Sequence, residues 1–283
     1  MEHTLALPGA ELEEAVKNIG IPPCPAILTK LLREMREDEP DLNKVGKLIG
    51  SDLSLSAAML KTVNSPFYGL RAKVSSVHQA LSLIGLQNAG QLVTGLLLQD
   101  AFQGGTSHSM EEFWESSSAI ALINAGLARK FKITDREEAH TFALFRDSGA
   151  LAMLVGVDQY RPILPGASNK PGVSATDTEN ERYGMDHAVT GYYLTKSWLM
   201  PEHVCEAVLW HHQLAALKEG KLQISPSGLK HIALALASEW LYVTRTLGRT
   251  CQEWQEGGAF ALETLMQSEA DLHAAVEELA EAA

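Results

Sequence analysis

Cysteine is scarce. Only Cys24, Cys205 and Cys251 occur in 283 residues, and they lie far apart. An odd, sparse set argues against a disulfide framework and against closely spaced zinc ligands. Long apolar runs are missing too, since none reaches the roughly 18–20 residues needed to cross a bilayer. Met1 to Gly9 has no basic region followed by an apolar stretch, so no secretory signal is visible. A reduced, cytoplasmic setting is the expectation. Basic charge is also in short supply: 23 Lys and Arg stand against 35 Asp and Glu, a net charge of −12. General nucleic-acid binding rests on neutralising phosphates with Lys and Arg, so this balance argues against it. It argues equally against docking on an anionic membrane surface. No glycine-rich phosphate loop with a following Lys-Ser or Lys-Thr is present. No Ser–His–Asp nucleophile motif is evident either.

What is there is a chain with 46% hydrophobic and 20% charged residues. That is enough to bury a sizeable core, as one large domain or two smaller ones. The dominant period is helical. Leu12, Val16 and Ile19 recur three to four apart before Gly20, and Pro22, Pro23 and Pro25 then break the chain. Pro25 suits the start of a helix carrying Leu28, Leu31 and Leu32. Asp41 and Ser75 or Ser76 are cap candidates for later helices, and Gly85 is placed to end one. Thr134 with Glu137, and Thr178 with Glu181, fit the capping box. Further helices are predicted over about 87–102, 110–131, 135–145, 148–157, 187–199, 202–213, 228–247 and 269–281. A polar break at 104–109 and a Pro-, Gly- and Ser-rich stretch at 161–177 interrupt the pattern. No strand pattern and no internal repeat stand out, so the fold class is all-α. The expected divisions are 1–105, 106–248 and an acidic helical appendage at 249–283. Residues 251–283 hold eight acids and no bases, whereas 42–99 hold five bases and only Asp52 as an acid. Solvated helix faces account for both.

Three segments are specific. One is Ile21-Pro22-Pro23-Cys24-Pro25. The second runs from Ile49-Gly50-Ser51-Asp52-Leu53 to Asn64-Ser65-Pro66-Phe67-Tyr68-Gly69. The third is Val74-Ser75-Ser76-Val77 with Ala80-Leu81-Ser82-Leu83-Ile84-Gly85-Leu86. Together they resemble the HDOD family, the HD-related output domains of bacterial signalling proteins, over about residues 20–240. The residues themselves suggest a structural lock: Asn64 and Ser65 end an apolar helix just before Pro66, which disfavours further α conformation. Their side chains can bond nearby backbone, while Phe67 and Tyr68 plug the loop. Asp52, Gly69 and Gly85 complete this structural set, with a ligand or partner contact as its alternative.

The resemblance implies an HD-like helical bundle in the second half, preceded by an N-terminal helical subdomain. The HD phosphohydrolases need a His, a His-Asp pair and a distant Asp to hold divalent metals that activate water. Here the first His falls at Ser116, the pair is Arg146-Asp147, and Leu234 occupies the distant position. Arg146 is a permanent cation and cannot ligate a metal. Asp147 survives, and His187, His211 and His212 match histidines common in HDOD sequences. These four are the only metal candidates in an otherwise degenerate site, and neither catalytic residues nor a cofactor are expected. Structural histidines, a residual metal site and a pH-sensitive contact remain open for the three imidazoles. For Arg146 the open roles are a structural ion pair, a phosphate or nucleotide contact, and a surface residue. His187 opens a helix, where the dipole disfavours charge, while His211 and His212 end one, where it favours charge. Neighbours on a helix point about 100° apart, so His211 and His212 are not expected to share an ion. His203 and Cys205 carry no assigned chemistry.

The HD-GYP branch, which hydrolyses cyclic dinucleotides, carries His-His-Glu and a downstream Gly-Tyr-Pro. Here His211-His212 precedes Gln213, and no Gly-Tyr-Pro exists. The expected function is therefore a non-catalytic bacterial signal-transduction module acting through protein contacts. Its signalling partners would come in trans, and a homo-oligomer is compatible with it. The alternatives are a metal-dependent phosphohydrolase with an altered site, or a nucleotide sensor without turnover that uses Arg146 or the basic 42–99 stretch.

Overall fold

The computed structural model describes residues 14, 19–20, 22, 24–65, 68–70, 73–102, 108–162 and 175–281. Among these residues lie fifteen α-helices and no strand, so the architecture is all-α. The chain divides into two compact units, one of residues 1–22 and 105–282, the other of residues 23–104.

The smaller unit holds α1 (Ala26–Met35), α2 (Leu42–Gly50), α3 (Leu53–Val63), α4 (Val77–Ile84) and α5 (Leu86–Ala101). Its helix starts are capped as the side chains dictate. Asp41 accepts from Asn43 N, Asp52 from Leu55 N and Ser76 from Gln79 N. Leu28, Leu31, Val45, Ile49, Met59 and Val63 are fully buried. Gly85 separates α4 from α5 at φ +80°, a conformation that costs other residues a steric clash. Asn64 closes the loop after α3: its Nδ2 donates to Val74 O at 2.8 Å, and its Oδ1 accepts from Val74 N at 2.7 Å. Pro66 and Phe67 lie outside the described residues. Tyr68 N donates to Ser65 O at 3.1 Å, and Gly69 follows at φ +59°.

The larger unit holds α6 (His108–Phe131), α7 (Arg136–Phe145), α8 (Ser148–Gly156), α9 (Ala175–Tyr183) and α10 (His187–Ser197). It continues with α11 (Glu202–Trp210), α12 (Leu214–Lys218), α13 (Pro226–Arg245), α14 (Gln252–Leu265) and α15 (Glu269–Glu281). Two expected caps are corrected. Asp135, not Thr134, caps α7, accepting from Glu138 N at 3.0 Å. Helix α9 starts at Ala175, so Thr178 lies inside it. The acidic appendage is also corrected. Helix α14 went unread because Gly257 and Gly258 weaken its intrinsic propensity. It nevertheless buries Trp254, Ala261 and Leu265 in the same core cluster as Leu236 and Leu241 of α13. A Cβ at Gly257 would lie 2.6 Å from Leu236 Cδ2, so glycine lets α14 pack close without displacing that side chain. Trp254 stacks on Trp240 at a centroid distance of 4.2 Å, and Leu272 and Ala275 of α15 join the cluster.

A second close crossing sets up the centre of this unit. A Cβ at Gly149 would lie 1.9 Å from His187 O and 2.4 Å from Gly191 N. Glycine therefore lets the start of α8 lie directly against the start of α10. Gly149→Ala is expected to destabilise the larger unit by at least about 1–3 kcal/mol, the range for overpacking, as read by urea unfolding. Asn64→Ala is expected to cost the smaller unit about 1–3 kcal/mol, because Val74 N–H and C=O lose their partner. An unchanged urea midpoint in either variant would contradict the corresponding assignment.

Candidate functional site

Arg146, Asp147 and Ser148 form the junction between α7 and α8, in the interior of the larger unit. Arg146 is only 4% exposed. Its Nε donates to Asp147 Oδ2 at 2.9 Å, and its NH2 group lies 2.8 Å from Glu239 Oε2 of α13. A buried guanidinium is tolerated because it is paired on both sides. Burial would raise the Asp147 pKa, but the Arg146 charge prevails and holds it well below the usual carboxylate range. Glu239 is raised by burial, against the pull of Arg146.

The other oxygen of Asp147 faces three imidazoles. His211 Nε2 lies 3.1 Å and His187 Nε2 3.5 Å from Asp147 Oδ1. His212 Nε2 is 2.9 Å from His187 Nε2. Ligand atoms of Asp147, His187, His211 and His212 all fall within 4.8 Å of one another. His187 is the first residue of α10, held by the Asp186 cap, whose Oδ1 accepts from Val189 N at 2.8 Å. His211 follows the last residue of α11 and His212 sits in the turn beyond. His211 keeps a helical conformation at φ −63° and ψ −22°, yet the two rings lie 4.0 Å apart, so the expected divergence does not separate the pair.

Each imidazole has an outer partner. His187 Nδ1 is 2.6 Å from Glu179 Oε2, and Glu179 also accepts from His187 N at 2.9 Å and from Tyr160 OH at 2.6 Å. His211 Nδ1 donates to Val208 O at 2.7 Å. His212 Nδ1 lies 2.7 Å from Glu253 Oε1 of α14. The charge preferences run opposite to those the helix dipoles favour. Burial opposes charge on His187, but Glu179 and Asp147 override it and raise its pKa well above the usual imidazole range. Burial, then the neighbouring His212, pushes His211 down to about 4. Burial, then His187, does the same to His212. A contacting carboxylate outweighs a partial helix-end charge.

The HD enzymes imply a metal, and the chemistry of the donor set tests that implication. Three imidazole nitrogens with one carboxylate oxygen suit a late first-row dication. Imidazole Nδ1 groups held by a carboxylate or a carbonyl, as those of His187 and His211 are, are the usual outer support of such ligands. The residues therefore fit a metal. The resemblance sets Ser116 and Leu234 at two of the enzymes' other ligand positions. The Ser116 hydroxyl is spent on its own helix, donating to Glu112 O at 2.9 Å and Phe113 O at 3.0 Å. Leu234 is fully buried in the hydrophobic core.

Sequence reading missed Glu179, Glu239 and Glu253, which are acids on helices with no local motif. It also missed a second cluster. Glu138 Oε1 of α7 lies 2.8 Å from His231 Nε2 of α13 and 3.2 Å from His203 Nε2 of α11. This arrangement ties three helices, and contacts from His203, then His231, hold the Glu138 pKa low.

A model of the HDOD domain matches residues 21–214. The chain belongs to the HDOD family. A curated but uncharacterised protein of Treponema pallidum is 23% identical over 205 residues, which is 69% of this chain and 38% of that protein. The chain thus spans well under half the length of the curated relatives it matches. Two solved structures share the fold. An HDOD domain protein of unknown function from Geobacter sulfurreducens superposes with TM-score 0.68 at 19% identity, covering 96% of this chain and 93% of its own. A Shewanella amazonensis protein provisionally named a phosphohydrolase gives TM-score 0.68 at 20% identity, covering 96% and 94%.

The second cluster yields a pH prediction. Glu138 raises the pKa of His203 above its ordinary 6.5. The stability from this contact is fully present below pH 6.5 and is lost as pH rises through the higher folded-state value. His203→Gln should therefore flatten the dependence of Tm on pH above 6.5. Curves that stay parallel to wild type would contradict the assignment.

Proposed function

We propose that the chain is a non-hydrolytic regulatory module of bacterial signal transduction, acting through contacts with other proteins. One observation carries the reading: the buried Arg146, clamped between Asp147 and Glu239, stands where the HD enzymes place a metal-ligating histidine. A guanidinium has no lone pair to give a metal. Its fixed charge also pins Asp147 Oδ2, so only one oxygen of that carboxylate remains for other work. With Ser116 and Leu234 at the remaining ligand positions, a two-metal clamp for a phosphoryl group has too few ligands.

A metal at the three imidazoles would supply Lewis-acid charge and a cross-link between helices. The second reading is a phosphohydrolase with an altered site. It is favoured by those imidazoles and by the name of the Shewanella relative.

The test assays the purified chain with added Mn²⁺ or Fe²⁺ against p-nitrophenyl phosphate esters, cyclic di-GMP and nucleoside triphosphates. Turnover is expected to match that of Asp147→Ala. Turnover at least tenfold above that variant would overturn the non-hydrolytic reading.

A further inference from the structure

We propose that Glu138, His203 and His231 bind a divalent transition-metal ion at a second site, distinct from the imidazole cluster around Asp147. The ion ties the starts of α7 and α11 to α13. Glu138 and Arg146 are eight residues apart along α7, and His203 and His211 are eight apart along α11. That spacing is about 12 Å of helix. The two clusters therefore sit at opposite ends of the same two helices and share no ligand.

A ring nitrogen without a hydrogen bond carries the inference. His203 Nε2 lies 3.2 Å from Glu138 Oε1, yet it is buried and makes no hydrogen bond. The distance suits a bond and the direction does not. The same oxygen already accepts from His231 Nε2 at 2.8 Å and from Thr134 Oγ1 at 3.4 Å. The two imidazoles are parallel, 9° between planes with centroids 5.7 Å apart, and both turn Nε2 toward the one carboxylate. A hydrogen-bonded triad would aim each N–H at the oxygen. In a coordinated triad the lone pairs aim at a point between the ligands, and the ligand atoms lie close without bonding one another.

Proton counting agrees. A neutral imidazole has a single N–H. His231 is fully buried, and its Nδ1 has no partner. Without an ion the Nδ1 lone pair is unpaired; with an ion on Nε2 the Nδ1 proton is. An ion thus adds no orphan on His231 and relieves the one on His203. The missing acceptor behind His231 sets the expected affinity at roughly micromolar, weaker than a fully supported site.

Spacing and charge agree as well. Tetrahedral coordination with bonds of about 2.1 Å separates its donors by roughly 3.4 Å. Two separations are 2.8 and 3.2 Å, and the three ligand atoms all lie within 4.8 Å. Glu206, one turn along α11, adds a second negative charge facing His203. Two imidazoles with a carboxylate select zinc, cobalt, nickel or iron over magnesium and calcium. Three protein ligands leave a fourth position, which water reaches past the 28% exposed side chain of His203. The ion displaces the proton of His203 to solvent, so the pH dependence predicted above is that of the metal-free chain.

The experiment strips the full chain with chelator and titrates it with Zn²⁺, reading stoichiometry by calorimetry, Tm, and the imidazole ¹⁵N spectrum of histidine-labelled protein. Wild type is expected to bind one equivalent more than His203→Gln, whatever the cluster around Asp147 takes up. That equivalent should raise Tm until EDTA is added, and should move the Nε2 signals of His203 and His231 together. Glu138→Gln keeps an acceptor oxygen for His231 but loses the charge. It should weaken that equivalent by more than about 100-fold, beyond the range for a supporting contact alone. Asp147→Asn should leave it in place. Should a variant fail to fold, as judged by circular dichroism, the wild-type ¹⁵N spectrum decides. Equal stoichiometry in wild type and His203→Gln overturns the proposal, as does zinc that shifts neither imidazole. Loss of the equivalent in Asp147→Asn assigns the ion to the other cluster and overturns it too. Turnover plays no part in these readouts, so the non-hydrolytic reading stands or falls separately.

Discussion

The centre of the larger unit is organised by one constraint: a carboxylate half-buried among helices, beside a buried guanidinium, must be compensated on each side. Asp147 is such a carboxylate. One of its oxygens takes Arg146 and the other meets His187 and His211. Arg146 in turn requires Glu239, and each imidazole requires a partner behind it. An uncompensated buried charge costs several kcal/mol, so each partner obliges the next. The chain of obligations runs from α7 through α8, α10, α11, α13 and α14, and it sets a polar centre inside an otherwise apolar bundle.

Backbone approach makes that network possible. Gly149 lets α8 lie against the start of α10, which brings Asp147 and His187 together. Gly257 makes room for the Leu236 side chain between α13 and α14, on the helix that carries Glu253 to His212. His211 and His212, just after Trp210, bring their ring nitrogens to one centre. The apolar packing of Trp240 on Trp254 holds this frame from the outside of the cluster. Stability and site geometry therefore share the same residues, and neither can be altered without the other.

Much of the fold was legible. The 3.6-residue period located most helices, and Asp41, Asp52 and Ser76 cap where short polar side chains should. Asn64 proved to be a loop lock, because its amide offers both a donor and an acceptor to one residue, Val74. Helix α14 was hidden by its glycines, which read as breaks in isolation and as contacts in the packed unit. The acids Glu179, Glu239 and Glu253 were hidden because nothing local distinguishes a buried glutamate on a helix from a solvated one. His203 looked idle for the same reason: its partners are 65 and 28 residues away in sequence, at Glu138 and His231.

By itself, the sequence determined the all-α class and the family. These follow from residue identity and short-range period, which folding does not change. Only the tertiary structure decided which histidines converge, which acids stand behind them and which imidazole carries charge. Those properties depend on distances of about 3 Å between residues from separate helices, and on burial, which strengthens every such contact. The helix-end dipoles favoured a neutral His187 and a charged His211. The packed carboxylates and the surrounding core reversed both.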